Sequence, residues 1–228
     1  MSLNKINRRS FLKSSALVGG GLLLEMTIPA SVLAEELGTL VGSKELNVFV
    51  QIASDGQITI YSHTPEMGQG IKTSLPMIIA EEMGAKWEDV QVIDAPLDDK
   101  FGQQGAGGSR SVSRNFNLMR QMGASAREML LGAASEAMEV SKQDLEAKES
   151  TVIHKSGQSL TFGELAARAV RQPVPDPEQL SYKDPRSYTI IGTSIGGVDN
   201  LVIATGRSQF GIDADVPGMK YASYTRCP

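Results

Sequence analysis

The chain has 228 residues, of which 41% are hydrophobic, so it is long enough for one large domain or for one domain plus part of a second. This hydrophobic content excludes an intrinsically disordered protein. The formal net charge of -4 and the lack of any sustained run of Lys and Arg exclude a nucleic-acid-binding surface, because neutralising phosphates requires clustered cations.

The first predicted element is an export signal over residues 1–34. Arg8 and Arg9 precede a weakly apolar, Gly-rich segment, and a small-residue cleavage site follows that ends at Ala34. Residues 8–13, RRSFLK, resemble the twin-arginine consensus, whose pathway carries proteins already folded around a cofactor. An ordinary secretory signal or a short membrane anchor is the alternative, but the apolar segment is too short to span a bilayer comfortably. The signal predicts a periplasmic location.

The mature chain begins with a predicted β-hairpin. Asn47–Ile52 and Gln57–Ser62 have the composition of two short strands, joined by a tight turn at residues 54–56. After the Gly-containing stretch HTPEMGQG, a helix is predicted over about Ser74–Met83, where apolar residues recur at helical spacing, and Gly84 supplies its stop.

A third strand, Val90–Ile93, leads into a polar, Gly-rich loop and then into a long helix predicted from about Ser113 to Val140. A short helical segment starting at Ser141, a strand at Thr151–His154 and a helix at Leu160–Val170 follow. This alternation of short strands and helices predicts an α+β fold in which helices cover a mixed sheet.

A proline-rich stretch divides the chain. Its prolines resist both helices and strand ladders, so we predict a linker at 173–188 between a first domain at 35–172 and the beginning of a second at 189–228. The second region contains strand-like runs broken by Gly and Pro. A piece of about forty residues does not readily form its own core, so we expect the chain to stop within its second domain.

The titratable residues offer little chemistry of their own. Cys227 is the sole cysteine and His63 and His154 are the only histidines, with no CxxC or HExxH spacing, so the chain cannot assemble a His- or Cys-ligated metal site by itself. Any metal must arrive held by another group. His63 and Glu66 could act as acid and base, but His63 follows a strand end and is interpreted instead as a residue that hydrogen-bonds the adjacent loop.

The first candidate site is Gly68, Gln69 and Gly70, ahead of the first predicted helix. Glycine lets the backbone pass close to a bound group, and a helix start offers unpaired N–H donors to an anion, which favours a phosphate-bearing cofactor. Neither a P-loop nor a dinucleotide fingerprint fits, because Ile71 interrupts the first and Ser74 replaces the last glycine of the second. A Gly-rich turn that merely leads into a buried helix is equally compatible.

The second candidate site consists of Gly107, Gly108, Ser109, Arg110 and Ser111. Like the first, it lies just before a predicted helix, and it combines glycines, which have no side chain to cover the backbone, with serine hydroxyl groups. Two glycine-containing stretches that each precede a helix start favour a bound anionic group, because backbone N–H groups at a helix start can donate to an anion. The forked guanidinium of Arg110 suits a phosphate, with a solvated loop arginine as the alternative. A nucleophilic Ser109 is not supported, because GGSRS lacks the G-x-S-x-G order and no Asp or His is placed to complete a triad.

The stretches EMGQGIKTSLPMIIAEEMG and GGSRSV resemble the molybdopterin-binding subunits of the xanthine dehydrogenase and aldehyde oxidase family, in particular the large subunits of isoquinoline 1-oxidoreductase type. The end of the chain, TGRSQFGIDADVPGMKYASYTRCP, resembles the start of that family's α/β-hammerhead domain. The resemblance implies that Gly68–Gly70 and Gly107–Ser111 bind molybdopterin cytosine dinucleotide, with Gln69 beside its metal-bearing end. It also implies that the molybdenum is held by the cofactor's own dithiolene sulfurs.

The resemblance further implies an oxidoreductase that hydroxylates an aldehyde or an N-heterocycle with oxygen from water. The implied partners are the remainder of the molybdenum subunit, a ferredoxin-like small subunit with a two-iron two-sulfur cluster, and the small substrate. The family's catalytic glutamate lies in a G-x-G-E context that this sequence lacks, so no catalytic residue is expected in this chain. We therefore expect a truncated or split subunit that is inactive alone. A non-catalytic periplasmic binding module is the alternative.

Overall fold

The computed structural model describes residues 44–227, which form two compact units, one extending to Ile195 and the other beginning at Gly196. In chain order, the strands and helices of the first unit are β1 (Lys44–Asn47), β2 (Val50–Ile52), β3 (Ile58–Ser62), α1 (Ile71–Met83), β4 (Val90–Asp94), α2 (Ser111–Met138), β5 (Leu145–Lys148), β6 (Thr151–His154), β7 (Ser159–Thr161) and α3 (Phe162–Ala169).

A four-stranded mixed sheet with the order β1-β2-β3-β4 lies at the centre of the first unit. β1 pairs antiparallel with β2, and β2 pairs antiparallel with β3. β3 and β4 run parallel, with Ile58 opposite Val90 and Ser62 opposite Asp94, because α1 returns the chain between them. The predicted α+β class with a mixed sheet is confirmed.

The hydrophobic core contains residues from this sheet and from α1 and α2. Its fully buried aliphatic side chains are Val50, Ile52, Ile58, Ile60, Leu75, Ile79, Met83, Met119 and Leu130. Each such side chain stabilises the fold by about 1.5–3 kcal/mol relative to an exposed position. The predicted helices exist, but α1 begins at Ile71 rather than near Ser74, and α2 covers Ser111–Met138 rather than 113–140.

α1 and α2 approach each other closely at Gly123. A Cβ atom at this position would lie 2.8 Å from the Cβ of Glu82 and would collide with the backbone carbonyl of Ile79. The two helices can therefore pack this closely because residue 123 has no side chain.

A smaller antiparallel sheet, with the order β5-β6-β7, leads into α3. Thr161 caps this helix, since its hydroxyl accepts a hydrogen bond from the Glu164 backbone N–H (3.3 Å) while the Glu164 carboxylate accepts one from the Thr161 backbone N–H (2.8 Å). The helix begins later than the predicted Leu160 because Ser159–Thr161 pairs with β6 as a strand.

The segment around residues 189–191 is held against α1 by a carboxylate with no exposed surface. Glu81 Oε2 accepts hydrogen bonds from the backbone N–H groups of Thr189 (2.8 Å), Ile190 (2.7 Å) and Ile191 (3.1 Å). Lys183 Nζ lies 3.1 Å from the other oxygen, Oε1. Together these contacts satisfy a buried charge that would otherwise be strongly unfavourable.

Glu82, the next residue, contacts both α2 and the segment that contains Lys183. Its Oε1 accepts from Arg120 Nε at 2.6 Å, and its Oε2 accepts from the backbone N–H of Lys183 at 3.0 Å. Arg127 donates to the backbone carbonyls of both Glu82 and Ser181. Part of the predicted linker is thus fastened to the helices by buried polar contacts.

The second unit contains one short helix, α4 (Asn200–Ala204), and a single 3-10 turn at Gly211–Asp213. Residues 196–227 contain no strand, so the prediction of strand-like runs there is wrong. Gly and Pro interrupt each run, and no strand of this unit is available to pair with it. The boundaries 35–172, 173–188 and 189–228 stay predictions, and the signal at 1–34 lies outside the described residues.

Candidate cofactor site

Both candidate loops lie at one edge of the central sheet. The first loop, residues 63–70, follows β3, and the second loop, residues 95–110, follows the parallel strand β4. Because the carboxyl ends of parallel strands meet at the same edge, the two loops share the position where open α/β sheets bind ligands. The fold thus brings together the two stretches singled out in the sequence, Gly68–Gly70 and Gly107–Ser111.

Two contacts hold the ends of the first loop to the end of β4 and the start of the second loop. The backbone N–H of Ala95 donates to the carbonyl of Ser62 at 2.8 Å, which continues the β3–β4 pairing by one step. Lys72 Nζ, in the first turn of α1, lies 2.8 Å from Asp94 Oδ2 at the end of β4. The start of α1 is therefore fixed relative to the start of the second loop.

The carboxylate of Glu66 organises the first loop. Its Oε1 accepts from the backbone N–H groups of Gly68 (2.7 Å) and Gly70 (3.0 Å), and its Oε2 accepts from that of Lys72 (2.9 Å). Gly70 precedes α1 in the left-handed conformation, with φ 79°, which an L-residue adopts only with strain. The donors at this helix start are thus already bound by a carboxylate of the chain itself.

The environment of Glu66 favours its charged form. Partial burial raises its pKa, but the backbone N–H groups that it accepts from, led by that of Lys72, lower it more, so the pKa lies below its ordinary value of 4.5. Acid–base catalysis by Glu66 is therefore not indicated, because a residue committed to several backbone donors serves as an anchor.

Gln69 folds back on its own loop. Its Oε1 accepts from the backbone N–H of Met67 at 2.7 Å, and its Nε2 donates to the carbonyl of Pro65 at 2.9 Å. One amide hydrogen and one oxygen lone pair remain available, since a primary amide has two donors and two acceptor sites. The side chain is exposed and oriented at the same time.

Near its end the second loop has two consecutive left-handed residues, Gly108 (φ 61°) and Ser109 (φ 54°), followed by Arg110 and then by α2. For a serine this conformation is unfavourable by about 1–2 kcal/mol, and it is an observed strain at a candidate site. The N-cap residue of α2, Arg110, makes no side-chain capping bond, and no acidic residue stands in the first turn. At the start of α1, by contrast, the carboxylate of Glu66 accepts from the backbone N–H groups of Gly70 and Lys72.

Two arginines flank the start of α2. Arg114 donates to the carbonyl of Gly105 and so closes the second loop onto the helix. The guanidinium of Arg110 is exposed and makes no hydrogen bond or ion pair with any residue in the range 44–227. An uncapped helix N-terminus with a free guanidinium beside it is suited to an anion.

Buried polar groups lie at the end of β3, just before the first loop. Among the described residues, Ser62 Oγ, Thr64 Oγ1 and both ring nitrogens of His63 have no partner at good hydrogen-bonding geometry, although the side chain of Asn115 on α2 lies close enough to raise the pKa of His63. His63 packs edge-on against Phe49, with ring centroids 5.3 Å apart. The interpretation of His63 as a residue that hydrogen-bonds the loop is therefore wrong, because its imidazole is buried and packs against Phe49 instead.

The site residues fit a large cofactor. A Cβ atom added at Gly68, Gly70, Gly105 or Gly107 would meet nothing within 4 Å, so the backbone of both loops faces open space. Residues 44–227 hold no group of three or more His, Cys, Asp or Glu that could bind a metal ion. Two cavities of about 480 and 490 Å³ lie elsewhere, lined by none of the eight predicted residues.

No helix within residues 44–227 has the length and apolarity needed to cross a membrane.

A family model described as the molybdopterin cofactor-binding domain matches residues 20–200. The chain therefore belongs to the molybdopterin cofactor-binding domain family. Together with the relatives below, this match confirms the resemblance to the molybdenum-binding subunits of the xanthine dehydrogenase family.

One relative is a membrane-bound aldehyde dehydrogenase of Gluconacetobacter polyoxogenes, whose name specifies pyrroloquinoline quinone. It is 30% identical over 226 residues, covering 95% of this chain and 29% of the relative. Another is the isoquinoline 1-oxidoreductase subunit beta of Brevundimonas diminuta, 27% identical over 257 residues, covering 96% of this chain and 33% of the relative. The chain thus spans a third or less of the length of these relatives.

Among solved structures, quinoline 2-oxidoreductase from Pseudomonas putida 86 matches with a TM-score of 0.41 and 22% identity, over 56% of this chain and 17% of that one.

Proposed function

We propose that this chain forms part of the cofactor-binding portion of a periplasmic molybdenum hydroxylase, which oxidises an aldehyde or an N-heterocycle with oxygen from water. The observation that carries the proposal is the pairing of two open glycine loops at one sheet edge in a chain of the molybdopterin cofactor-binding family. The printed names of the relatives, an aldehyde dehydrogenase and an isoquinoline oxidoreductase, motivate the two substrate classes.

Different parts of the site suit different parts of the cofactor. The oriented amide of Gln69 suits the polar metal-bearing end, since it presents one donor and one acceptor at a fixed place. Residues 107–111 suit the phosphates, because the uncapped start of α2 and the unpaired Arg110 both favour an anion. When bound, the molybdenum cofactor supplies the two-electron chemistry at the substrate carbon. The residues of this chain bind and orient it.

The proposed cofactor is the cytosine dinucleotide form of molybdopterin, and the proposed partners are the remainder of the subunit and a small subunit with a two-iron two-sulfur cluster. Such partners would supply the catalytic glutamate and the electron acceptor, for which this chain offers no candidate residue. Because one relative is named for pyrroloquinoline quinone, the analysis of the bound cofactor must include that quinone.

The test is metal and nucleotide analysis of this chain in complex with the remainder of the subunit. We expect molybdenum and a cytidine nucleotide in the wild-type complex and a loss of both in Gln69→Ala, Gly108→Val and Arg110→Ala. The effect of Arg110→Ala should shrink as the salt concentration rises, because salt screens the ionic contact that the wild type makes with phosphate.

Two matched controls isolate the site in this test. Gly157→Val introduces comparable backbone strain at a left-handed glycine (φ 93°) in the second sheet, and Arg171→Ala removes another exposed arginine. Both should retain the cofactor. Unchanged molybdenum and nucleotide content in all three site variants, or bound pyrroloquinoline quinone instead of a pterin, would refute the proposal, and a wild-type complex that binds neither would favour a non-catalytic binding module.

Export by the twin-arginine pathway is a separate part of this proposal, supported by Arg8 and Arg9 before a weakly apolar segment. Replacing both arginines with lysine should leave the precursor in the cytoplasm. Continued export of that double variant to the periplasm would contradict this route.

A further inference from the structure

We propose that Glu66 is a positioning residue of the cofactor site, which closes the N-terminus of α1 to anions and fixes the loop that carries Gln69. The inference rests on the proposed function for the identity of the cofactor, but its geometry is independent of that identity. It assigns the two loops unequal roles, because the first then accepts only uncharged polar groups and the second remains the place for phosphate.

The donors that Glu66 accepts from are those that an incoming phosphate would use. Gly68, Gly70 and Lys72 contribute backbone N–H groups at 2.7, 3.0 and 2.9 Å from its two oxygens. Both oxygens are engaged, so the carboxylate bridges the loop to the second residue of the helix. A phosphate at this position would have to displace an anion that is covalently tethered a few residues away.

The negative charge of Glu66 excludes anions from the N-terminus of α1 more strongly than its hydrogen bonds alone would. A second anion beside the Glu66 carboxylate would be repelled at short range, where screening by salt is weakest. The nearest cation on this helix, Lys72 Nζ, contacts Asp94 at 2.8 Å and so does not offer a compensating free charge. At the start of α2 the balance is the opposite, since Arg110 and Arg114 flank an N-terminus whose backbone N–H groups donate to no carboxylate among the described residues.

The same carboxylate determines where Gln69 points. Gly68 and Gly70 flank Gln69 on both sides, and both donate to Glu66 Oε1, so the backbone of residue 69 is held from its two ends. The Gln69 amide then closes onto Met67 and Pro65. Without Glu66, the loop loses both attachments beside Gln69, and the amide loses its fixed direction.

The test measures anion binding by the full chain without cofactor. Inorganic pyrophosphate is titrated into ¹⁵N-labelled wild-type protein and into Glu66→Gln, and backbone amide shifts are followed by NMR. In the wild type, the amides of Gly68, Gly70 and Lys72 should not respond. In Glu66→Gln, which keeps the shape but loses the charge, these amides should respond, with apparent affinity at least about tenfold greater than in the wild type.

Glu164→Gln is the matched control, because Glu164 also accepts a backbone N–H at a helix start, that of α3, but lies outside both loops. It should leave the anion response of the first loop as in the wild type. A role of Glu66 in stability alone would not create a new pyrophosphate response. Responses of the three amides that are equal in wild type and Glu66→Gln, or absent from both, would overturn the proposal.

A second measurement needs no variant. In a wild-type pH titration, the amides of Gly68, Gly70 and Lys72 should shift together, with one common midpoint below 4.5, as their shared acceptor is protonated. Separate midpoints, or no titration, would overturn the assignment even if Glu66→Gln failed to fold. Loss of the proposed function, seen as a complex without molybdenum, leaves both results interpretable, because neither experiment contains the cofactor.

Discussion

The Glu81 carboxylate accepts a hydrogen bond from the backbone N–H of Ile190 at 2.7 Å, across 109 positions of the chain. Ile190 lies just beyond the predicted linker at 173–188, so a carboxylate within α1 holds the chain where the sequence predicts the beginning of a second domain. The carboxylate has no exposed surface, and its partners are backbone donors and one ammonium group.

Glu81→Ala should therefore be strongly destabilising. It leaves three backbone N–H groups and Lys183 Nζ without their acceptor, so the free energy of unfolding should fall by about 3 kcal/mol or more. Urea denaturation followed by circular dichroism measures this change. Glu178→Ala, at an exposed position, should change the stability by less than about 0.5 kcal/mol. Similar losses in the two variants would contradict the anchoring role.

Stability should also fall in acid through Glu81. Burial raises its pKa, but the N–H groups of Ile190, Ile191 and Thr189 and the Lys183 ammonium together lower it below 4.5. The unfolded chain therefore takes up this proton at a higher pH than the folded protein. The resulting stabilisation is complete above pH 4.5 and is lost as the pH falls towards the lower folded value. In Glu81→Gln the fall in urea midpoint between pH 5 and pH 3 should be shallower, and an identical pH profile would exclude this contribution.

Gly123→Ala should destabilise the contact between α1 and α2. The added methyl group would collide with the Ile79 carbonyl and approach Glu82 Cβ to 2.8 Å, and overpacking of this kind is unfavourable by about 1–3 kcal/mol. Gly132→Ala is the control in the same helix, because there the methyl group meets only the movable end of Gln172. Thermal unfolding should place Gly132→Ala at or above the wild type, since alanine favours helix. Equal melting temperatures for the two variants would show that the helices can separate freely.

His63 should titrate below its ordinary pKa of 6.5. Burial is the main cause, the Asn115 side chain opposes it, and the positive charge of Arg114 lowers the pKa further. Histidine resonances followed by NMR should therefore show His63 neutral at pH 7. Arg114→Gln should raise the pKa of His63, whereas Asn115→Ala should lower it further. Shifts of the same sign in both variants would mean that these neighbours do not act as described.

Much of the fold follows from local patterns. The helical spacing of Leu75, Ile78 and Ile79, all buried, predicts α1. The strand predicted at Gln57–Ser62 is close to β3, but the strand predicted at Asn47–Ile52 crosses the turn at residues 48–49 that separates β1 from β2. β5 was not predicted, since LEAK alternates only weakly and takes its place as a strand by pairing with β6. Pairing of this kind depends on a neighbour that local sequence does not reveal.

The candidate cofactor site was likewise only partly predictable from local sequence. Glycine spacing indicated both loops, but Glu66 was considered as an acid or base rather than as the acceptor at the helix start. A signal was present, since Glu66 precedes Gly68 and Gly70 immediately before a helix, the arrangement in which a carboxylate can turn back onto backbone donors. The backbone N–H groups that donate to Glu81 and Glu82, by contrast, lie about a hundred positions away, and no local pattern could have located them.

The close contact at Gly123 determines more than the packing of two helices. α1 leads from the first loop and α2 leads from the second, so the helices meet roughly 12 Å along one and roughly 18 Å along the other from the glycines that would surround a cofactor. The contact at Gly123, together with the Lys72–Asp94 ion pair, thus helps to set how the starts of the two helices lie relative to each other. We expect a mutation there to alter the fit of the proposed cofactor while leaving every predicted site residue unchanged.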